Sequence, residues 1–184
     1  FVQAEAQLAG SGITLYKMAE EGVPKIEEYL EQNVKDGQTV GFDGRVVDAD
    51  FGRKLEKQYS LSYDKDVADA IWSDRPPLSA TKVWIVPEKD CGMSVSQKLA
   101  LVREKMDEQC AGHLLLSKLD DIMWLYNIRA NDVDCNPVAL SYTFLSKDSA
   151  VLFIQEEALT EETKQYFSEN SIIIRKYSEL TDYL

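Results

Sequence analysis

The stretch Leu119-Asp-Asp-Ile-Met-Trp-Leu-Tyr-Asn-Ile-Arg-Ala-Asn-Asp-Val-Asp-Cys-Asn-Pro-Val-Ala-Leu-Ser-Tyr142 carries the most informative pattern in this chain. It begins with helical character, passes through a polar turn and ends in a segment with strand character. Two adjacent acids, a tryptophan, an Asn-x-Arg pair and an Asn-Asp pair lie on this short path. Because polar groups that line a fold must find partners, their density here indicates the edge of a cleft.

The segments on either side of this stretch alternate between helix and strand. Apolar spacing predicts helices at 94–110, 118–126, 160–169 and 178–184. Ser94, Ser117 and Thr160 are the expected N-caps of the first three. Strands are predicted at 113–116, 138–145, 150–154 and 171–174. This order predicts an α/β domain with a mixed sheet, in which the 138–154 hairpin is antiparallel and the helix-linked strands are parallel.

The first half of the chain shows a cruder version of the same alternation. Helices are predicted at 1–9, 24–34, 48–58 and 67–72, and strands at 13–18, 39–42 and 61–63. Two prolines in Ser73–Ser79 interrupt the pattern and place a domain boundary there, so the predicted domains are 1–78 and 79–184. Residues 83–86 are predicted to be extended. A first domain of fewer than about 80 residues with short strands is marginal by itself.

Composition excludes several classes of function. The chain has 32 acidic and 20 basic side chains, a net charge of −12, which disfavours nucleic acid and anionic membrane surfaces as partners. We find no apolar run of about 18 residues and no secretory leader, and therefore expect no membrane segment. The three cysteines are widely spaced and odd in number, which favours a reducing cytoplasm over a disulfide framework.

The residues that could carry catalysis are few. His113 is the one histidine, and no Gly-x-Ser-x-Gly elbow or glycine-rich nucleotide loop is present. A zinc site would have to combine Cys110 and His113 with the isolated Cys91 and Cys135. The adjacent Asp120 and Asp121 fit stabilisation of a helix N-terminus, since neighbouring helical residues point in different directions. A two-metal site combining them with Asp132 and Asp134 would lack an accompanying basic patch. The sequence predicts no catalytic and no metal-binding residue in this chain.

Five residues remain as candidates for the rim of a peptide-binding cleft: Trp124, Asn127, Arg129, Asn131 and Asp132. Trp124 and Asn127 are three residues apart and share a helix face. Arg129 is suited to hold a carboxylate through two parallel hydrogen bonds. An alternative stays open, in which Arg129 pairs with Asp132 to clamp a loop and Trp124 packs in the core.

The residues Leu119–Val133, with Asn136-Pro-Val138 and Ser141-Tyr142, resemble the middle domain of aminopeptidase P, a three-domain family within the creatinase/prolidase superfamily. Val40-Gly-Phe-Asp-Gly-Arg-Val-Val47 is similar to a segment of the family's first domain, and Ile71-Trp-Ser-Asp-Arg-Pro-Pro-Leu78 to the boundary between its first two domains. Phe1–Leu8 is similar to the segment that follows the Asp-Gly-Arg-Tyr motif of the first domain. Ala130 stands where the family often has glycine.

The resemblance implies a creatinase N-terminal-like α/β domain, a mixed sheet flanked by helices, preceded by a truncated domain of similar style. It implies a non-catalytic region of an X-prolyl aminopeptidase, which hydrolyses the N-terminal residue before proline. The catalytic domain, with two divalent metal ions (manganese), would follow this chain; the chain would shape the peptide cleft and the interface of a cytoplasmic homodimer. The alternatives are a stand-alone α/β binding or interaction module, and the N-terminal region of a prolidase or creatinase relative.

Overall fold

The computed structural model describes residues 1–184, which divide into two compact units, Phe1–Pro76 and Pro77–Leu184. We call these unit 1 and unit 2. None of their helices combines the length and the apolar composition needed to cross a bilayer. The predicted domain identities, 1–78 as part of a first domain and 79–184 as a second one, remain predictions.

Unit 1 contains a small parallel sheet beside three short helices. The helices are α1 (Val2–Leu8), α2 (Ile26–Asn33) and α3 (Ala49–Glu56), and the strands are β1 (Thr39–Gly41) and β2 (Ser60–Ser62). The two strands pair in parallel and α3 lies between them in sequence. The Asp48 side chain caps α3 by accepting the backbone N–H groups of Asp50 and Phe51. Leu55 is the one buried hydrophobic side chain of unit 1, so this unit buries little apolar surface to offset its ordering.

An ion-pair network links the two motifs of unit 1 that carried the family resemblance. Arg45 binds Asp43 through two hydrogen bonds, from Nε to Oδ1 at 3.0 Å and from Nη2 to Oδ2 at 2.8 Å. Arg45 and Arg75 also both reach Asp66. Hydrogen bonds from Arg45 lower the pKa of Asp43 to about 2. These motif residues therefore organise the surface of unit 1, where solvated pairs stabilise a fold only modestly.

Gly44 lies against the backbone of Tyr63. A Cβ at this position would lie 2.9 Å from the Tyr63 backbone oxygen and 3.2 Å from the Tyr63 Cβ. We expect Gly44→Ala to lower the free energy of unfolding of unit 1 by about 2 kcal/mol, because the chain must shift to admit the methyl group. Gly52 is the matched control: it lies within α3, and a methyl group added there would have no neighbouring atom within 4 Å. Gly52→Ala should therefore stabilise by about 1 kcal/mol. Urea unfolding measures the free energy of unfolding of both variants. Equal changes in Gly44→Ala and Gly52→Ala would contradict a steric effect of the Tyr63 backbone at Gly44.

Unit 2 is larger and has a four-stranded sheet. Its helices are α4 (Glu88–Cys91), α5 (Val95–Glu108), α6 (Leu119–Tyr126), α7 (Glu161–Glu169) and α8 (Leu180–Tyr183). Its strands are β3 (Trp84–Ile85), β4 (His113–Leu116), β5 (Ile128–Arg129), β6 (Ser141–Ser146), β7 (Ala150–Ile154) and β8 (Ile173–Lys176). Short 3-10 helices occupy Glu156–Ala158 and Tyr177–Glu179. The sheet has the strand order β4-β6-β7-β8, and β3 and β5 form a separate antiparallel pair.

The core of unit 2 lies on both faces of this sheet. All residues of the central strand β7 are buried, as expected for a strand covered on both sides. One cluster joins the apolar faces of α5 and α6 and Phe167 of α7 to inward residues of the sheet. On the other side the Tyr183 ring of α8 packs edge-on against Phe144 and Phe153, with centroid distances of 5.4 and 5.3 Å. The mixed α/β fold with flanking helices is as predicted.

Two predicted helix starts and the hairpin are confirmed. Ser94 caps α5 and its partner Gln97 completes a capping box, and Thr160 does the same for α7 with Thr163. β6 and β7 form the predicted antiparallel hairpin, and β7 and β8, which α7 links, are parallel. The cap predicted at Ser117 is wrong, because Lys118 precedes α6 and makes no side-chain cap.

Other local predictions are wrong for identifiable reasons. Residues 13–18 form no strand, since no neighbouring strand supplies hydrogen-bond partners for their alternating pattern. Residues 67–72 form a turn rather than a helix, with the N–H groups of Ile71 and Trp72 bonded to Ala68 O. β4 and β6 are antiparallel although α6 lies between them in sequence. After α6 the chain forms β5, which pairs with β3 outside the four-stranded sheet. It then enters the four-stranded sheet as β6, in the direction opposite to β4.

Candidate functional site

The C-terminal end of α6 forms the centre of the candidate site. Asn127 ends the helix in the left-handed conformation, with φ at 53°, which asparagine tolerates better than most residues. Its backbone oxygen accepts the Val86 N–H at 2.8 Å, which attaches this end of α6 to the chain after β3. The side chain is buried, and its Nδ2 donates to Met93 O at 2.9 Å. Asn127 therefore joins three segments of unit 2.

A buried lysine occupies the same helix end. Lys98 of α5 is only 2% exposed, and its ammonium donates to the carbonyl oxygen of Trp124 at 2.8 Å and to Oδ1 of Asn127. The ammonium also lies 4.7 Å from the centre of the Trp124 ring, within the range of a cation–π interaction. Since the C-terminal end of a helix carries partial negative charge, a cation is stabilised there. Burial lowers the pKa of Lys98, and the positive charge of Arg129 lowers it further, whereas Cys91 acts in the opposite direction.

Arg129 of β5 binds two other carbonyl groups near the same helix end. Its Nη1 donates to Met123 O at 3.1 Å and to Ile128 O at 2.7 Å. Its Nε and Nη2 make no hydrogen bond within the protein, and Arg129 forms no ion pair. The guanidinium is thus held by one edge and keeps the remaining donors free.

Asp132 fixes the loop that follows β5. Its Oδ1 accepts the Ser79 hydroxyl at 2.7 Å and both the N–H and the hydroxyl of Thr81, at 2.7 and 2.8 Å. Its Oδ2 accepts the Leu140 N–H at 2.9 Å. Burial alone raises the pKa of this carboxyl, but the hydrogen bonds from Leu140, Thr81 and Ser79 outweigh burial and hold the pKa below its usual value. Asp132 therefore acts as a clamp between the start of unit 2 and the 132–140 loop.

The five predicted rim residues thus separate into two groups. Trp124, Asn127 and Arg129 meet at the end of α6, whereas Asp132 and the backbone of Asn131 bind the segment around Thr81. The alternative arrangement is not found, because Asp132 clamps its loop without Arg129, and Trp124 is 41% exposed. Their role as a peptide-cleft rim stays a prediction.

Sequence reasoning missed Lys98. Its signal was a lysine on the apolar face of the best-defined helix, three residues after the buried Val95 and one before the buried Leu99. A lysine is almost never fully buried without a partner, so such a position indicates a specific acceptor. Here the acceptors are a helix end and an asparagine rather than a carboxylate.

The residues considered from the sequence for a metal site or for nucleophilic catalysis do not come together in a site. No three or more histidine, cysteine, aspartate or glutamate side chains come together as a potential metal site. The three cysteines are free thiols. His113 stacks on Phe144 with ring centres 5.3 Å apart, so it packs on the sheet at the beginning of β4.

Comparison with known proteins decides the family. The sequence profile of the creatinase/prolidase N-terminal domain matches residues 74–184, which is more than half of the chain. The chain belongs to the creatinase/prolidase N-terminal domain family. The matched region contains all of unit 2, and with it the candidate site.

Relatives of this creatinase N-terminal domain extend the match over both units. The probable Xaa-Pro aminopeptidase P of Sordaria macrospora is 34% identical over 188 aligned residues, covering 98% of this chain and 30% of the relative. The Xaa-Pro aminopeptidase app-1 of Caenorhabditis elegans is 30% identical, covering 100% of this chain and 31% of that protein. The chain therefore spans about 30% of the length of these curated relatives.

A solved structure shares the fold. The crystal structure of X-prolyl aminopeptidase from Caenorhabditis elegans, described as a cytosolic enzyme with a di-nuclear active site, matches 100% of this chain with a TM-score of 0.88 and 29% identity. The match covers 31% of that enzyme's chain. The creatinase N-terminal-like fold predicted from the sequence is confirmed.

Proposed function

We propose that this chain is the non-catalytic N-terminal and middle region of an X-prolyl aminopeptidase. The complete protein would release the N-terminal residue that precedes proline in a peptide. The observation that carries the proposal is the TM-score of 0.88 over the whole chain to about a third of an X-prolyl aminopeptidase. Aminopeptidase relatives aligned over nearly the full chain support it.

In this proposal the catalytic chemistry belongs to a further domain. The Caenorhabditis elegans enzyme is described as having a di-nuclear active site. We propose two divalent metal ions, manganese, in the catalytic domain of the complete protein, and no metal in this chain.

The part played by this region would be positional. The end of α6 would form one wall of the peptide cleft, with Trp124, Asn127 and Arg129 on its rim and with Asn131 and Asp132 holding the adjoining loop. A rigid wall that excludes long chains and orients short ones contributes to specificity without touching the reacting atoms. We further propose that the complete protein is a cytoplasmic homodimer. The Caenorhabditis elegans enzyme is described as cytosolic, which supports the compartment. Sedimentation of the complete protein tests whether it is a dimer.

The test is hydrolysis of X-Pro peptides by the longer polypeptide that contains this chain. We expect metal-dependent release of the N-terminal residue from a peptide with proline at the second position, and loss of that release with a chelator. A matched peptide with alanine in place of proline should be a far poorer substrate. Absence of X-Pro hydrolysis by the metal-loaded polypeptide would contradict the proposal and favour a stand-alone α/β interaction module.

A further inference from the structure

Two neighbouring cations in unit 2 lack any acidic partner. Lys98 and Arg129 bind the carbonyl groups of consecutive residues, Trp124 and Met123. Neither forms an ion pair, although the chain has 32 acidic side chains against 20 basic ones. Two like charges held together without an anion disfavour each other. The carbonyl groups and the Asn127 side chain offset part of this repulsion, and an anion bound beside Arg129 would offset more of it.

Two tryptophans flank these cations. Trp124 lies under the Lys98 ammonium and Trp84 is the direct cross-strand partner of Arg129. Side chains of directly paired residues project from the same face of a strand pair, about 5 Å apart. Trp84 and Trp124 are 42% and 41% exposed, so both keep free surface for a ligand. We call Trp84, Lys98, Trp124 and Arg129 the cationic–aromatic site.

We infer that the cationic–aromatic site binds a carboxylate, with the free Nε and Nη2 of Arg129 as its donors. Because Nη1 is already fixed by the Met123 and Ile128 oxygens, the opposite edge of the guanidinium is held ready for a bidentate contact, the preferred geometry for carboxylates. Lys98 is too buried to touch the ligand. Its charge adds to the local positive potential, and its contacts position Trp124.

This inference deepens the proposed function, on which it rests for the biological source of the ligand. A peptide in the cleft carries a carboxylate at its C-terminus or on an acidic side chain. Exposed tryptophan faces favour the prolyl and aliphatic parts of the same peptide. The ligand class is therefore a short peptide with a free carboxylate.

The experiment is an NMR titration of the 184-residue chain with three peptides: Ala-Pro-Ala as the free acid, Ala-Pro-Ala amide, and Ala-Pro-Glu amide. We expect the free acid to shift the indole N–H signals of Trp84 and Trp124 and the Nε–H signal of Arg129. The amide, which keeps the N-terminal ammonium but lacks the carboxylate, should bind at least about tenfold more weakly, the loss of one charge-assisted contact. If Ala-Pro-Glu amide binds, a side-chain carboxylate is also a ligand of the site. If Ala-Pro-Glu amide does not bind, the ligand is restricted to the terminal carboxylate.

The variants separate binding from folding. Arg129→Gln should abolish the preference for the acid over the amide, and Arg129→Lys, which keeps the charge but not the fork, should reduce it less. Arg175→Gln is the matched control, since Arg175 also lies over an aromatic ring, that of Tyr183, outside the site. The titration needs no catalysis, so it stands apart from the hydrolysis test. Equal binding of acid and amide, no binding of the acid, or an unchanged preference in a folded Arg129→Gln chain would overturn the inference.

Discussion

Replacing Asn127 with alanine is expected to lower the free energy of unfolding of unit 2 by about 3 kcal/mol. About 2 kcal/mol would come from the lost hydrogen bonds to the Lys98 ammonium and to Met93 O, since a partly uncompensated buried charge remains. About 1 kcal/mol more would come from forcing alanine into the left-handed conformation at φ 53°. Urea unfolding followed by circular dichroism measures the change.

Two further variants divide this effect into its parts. Asn127→Gly keeps the left-handed conformation accessible and removes only the amide, so it should cost about 2 kcal/mol. Asn131→Ala is the control, because Asn131 is exposed and its side chain makes no hydrogen bond. If glycine were as costly as alanine, backbone strain would not contribute, and if both were harmless, the Lys98–Asn127 arrangement would carry no stability.

Asp132→Ala is expected to destabilise unit 2 by a similar amount, about 3 kcal/mol. The substitution removes the acceptor of four hydrogen bonds and leaves the N–H groups of Thr81 and Leu140 without a partner in a part-buried loop. Asp134→Ala is the matched control, since Asp134 lies in the same loop, is exposed and forms no ion pair. We expect it to change stability by less than about 0.5 kcal/mol.

The same substitution should change the acid sensitivity of unit 2. The pKa of Asp132 in the folded state is below its ordinary value of 3.8. Between these two values the unfolded state binds more protons, so stability falls as pH decreases. The contribution of Asp132 is complete above pH 3.8 and is lost as the pH falls through the lower folded pKa. Unfolding measured from about pH 6 down to about pH 2.5 should show a shallower decline in Asp132→Ala than in the wild type.

The elements that sequence predicted well are those fixed by local chemistry. The capping boxes at Ser94 and Thr160 place the starts of α5 and α7 because a side chain and a backbone N–H only three residues away satisfy each other. The apolar run at 150–154 predicts a strand, and β7 occupies these residues.

What the sequence could not predict depends on distant partners. The direction of β4 against β6 follows from β5 leaving the sheet to pair with β3, which two-residue strands do not reveal. The position of Lys98 on the apolar face of α5 indicates a buried acceptor, but the sequence does not show that this acceptor is the end of α6. Asp132 was identified as important, but its partners Ser79 and Thr81 lie about fifty residues away in the chain. The local sequence pattern indicates which polar residues have a structural role. It does not show which residues they bind.

The candidate site therefore has two layers with different roles. Lys98, Asn127 and Asp132 hold the end of α6 and its following loop in place through buried or part-buried hydrogen bonds. Arg129, Trp84 and Trp124 keep free donors and exposed ring surface. A rigid support beneath an open surface suits a wall that positions a peptide whose bond is broken elsewhere.

The most direct measurement compares two polypeptides in one assay: the 184-residue chain alone and the complete protein proposed above, in which a catalytic domain accompanies this chain. Each is incubated with manganese and a short X-Pro peptide, and release of the N-terminal residue is followed. Our account predicts release by the complete protein, abolished by a chelator, and none by the 184-residue chain above the enzyme-free blank. Metal-dependent release by the pure 184-residue chain would contradict it.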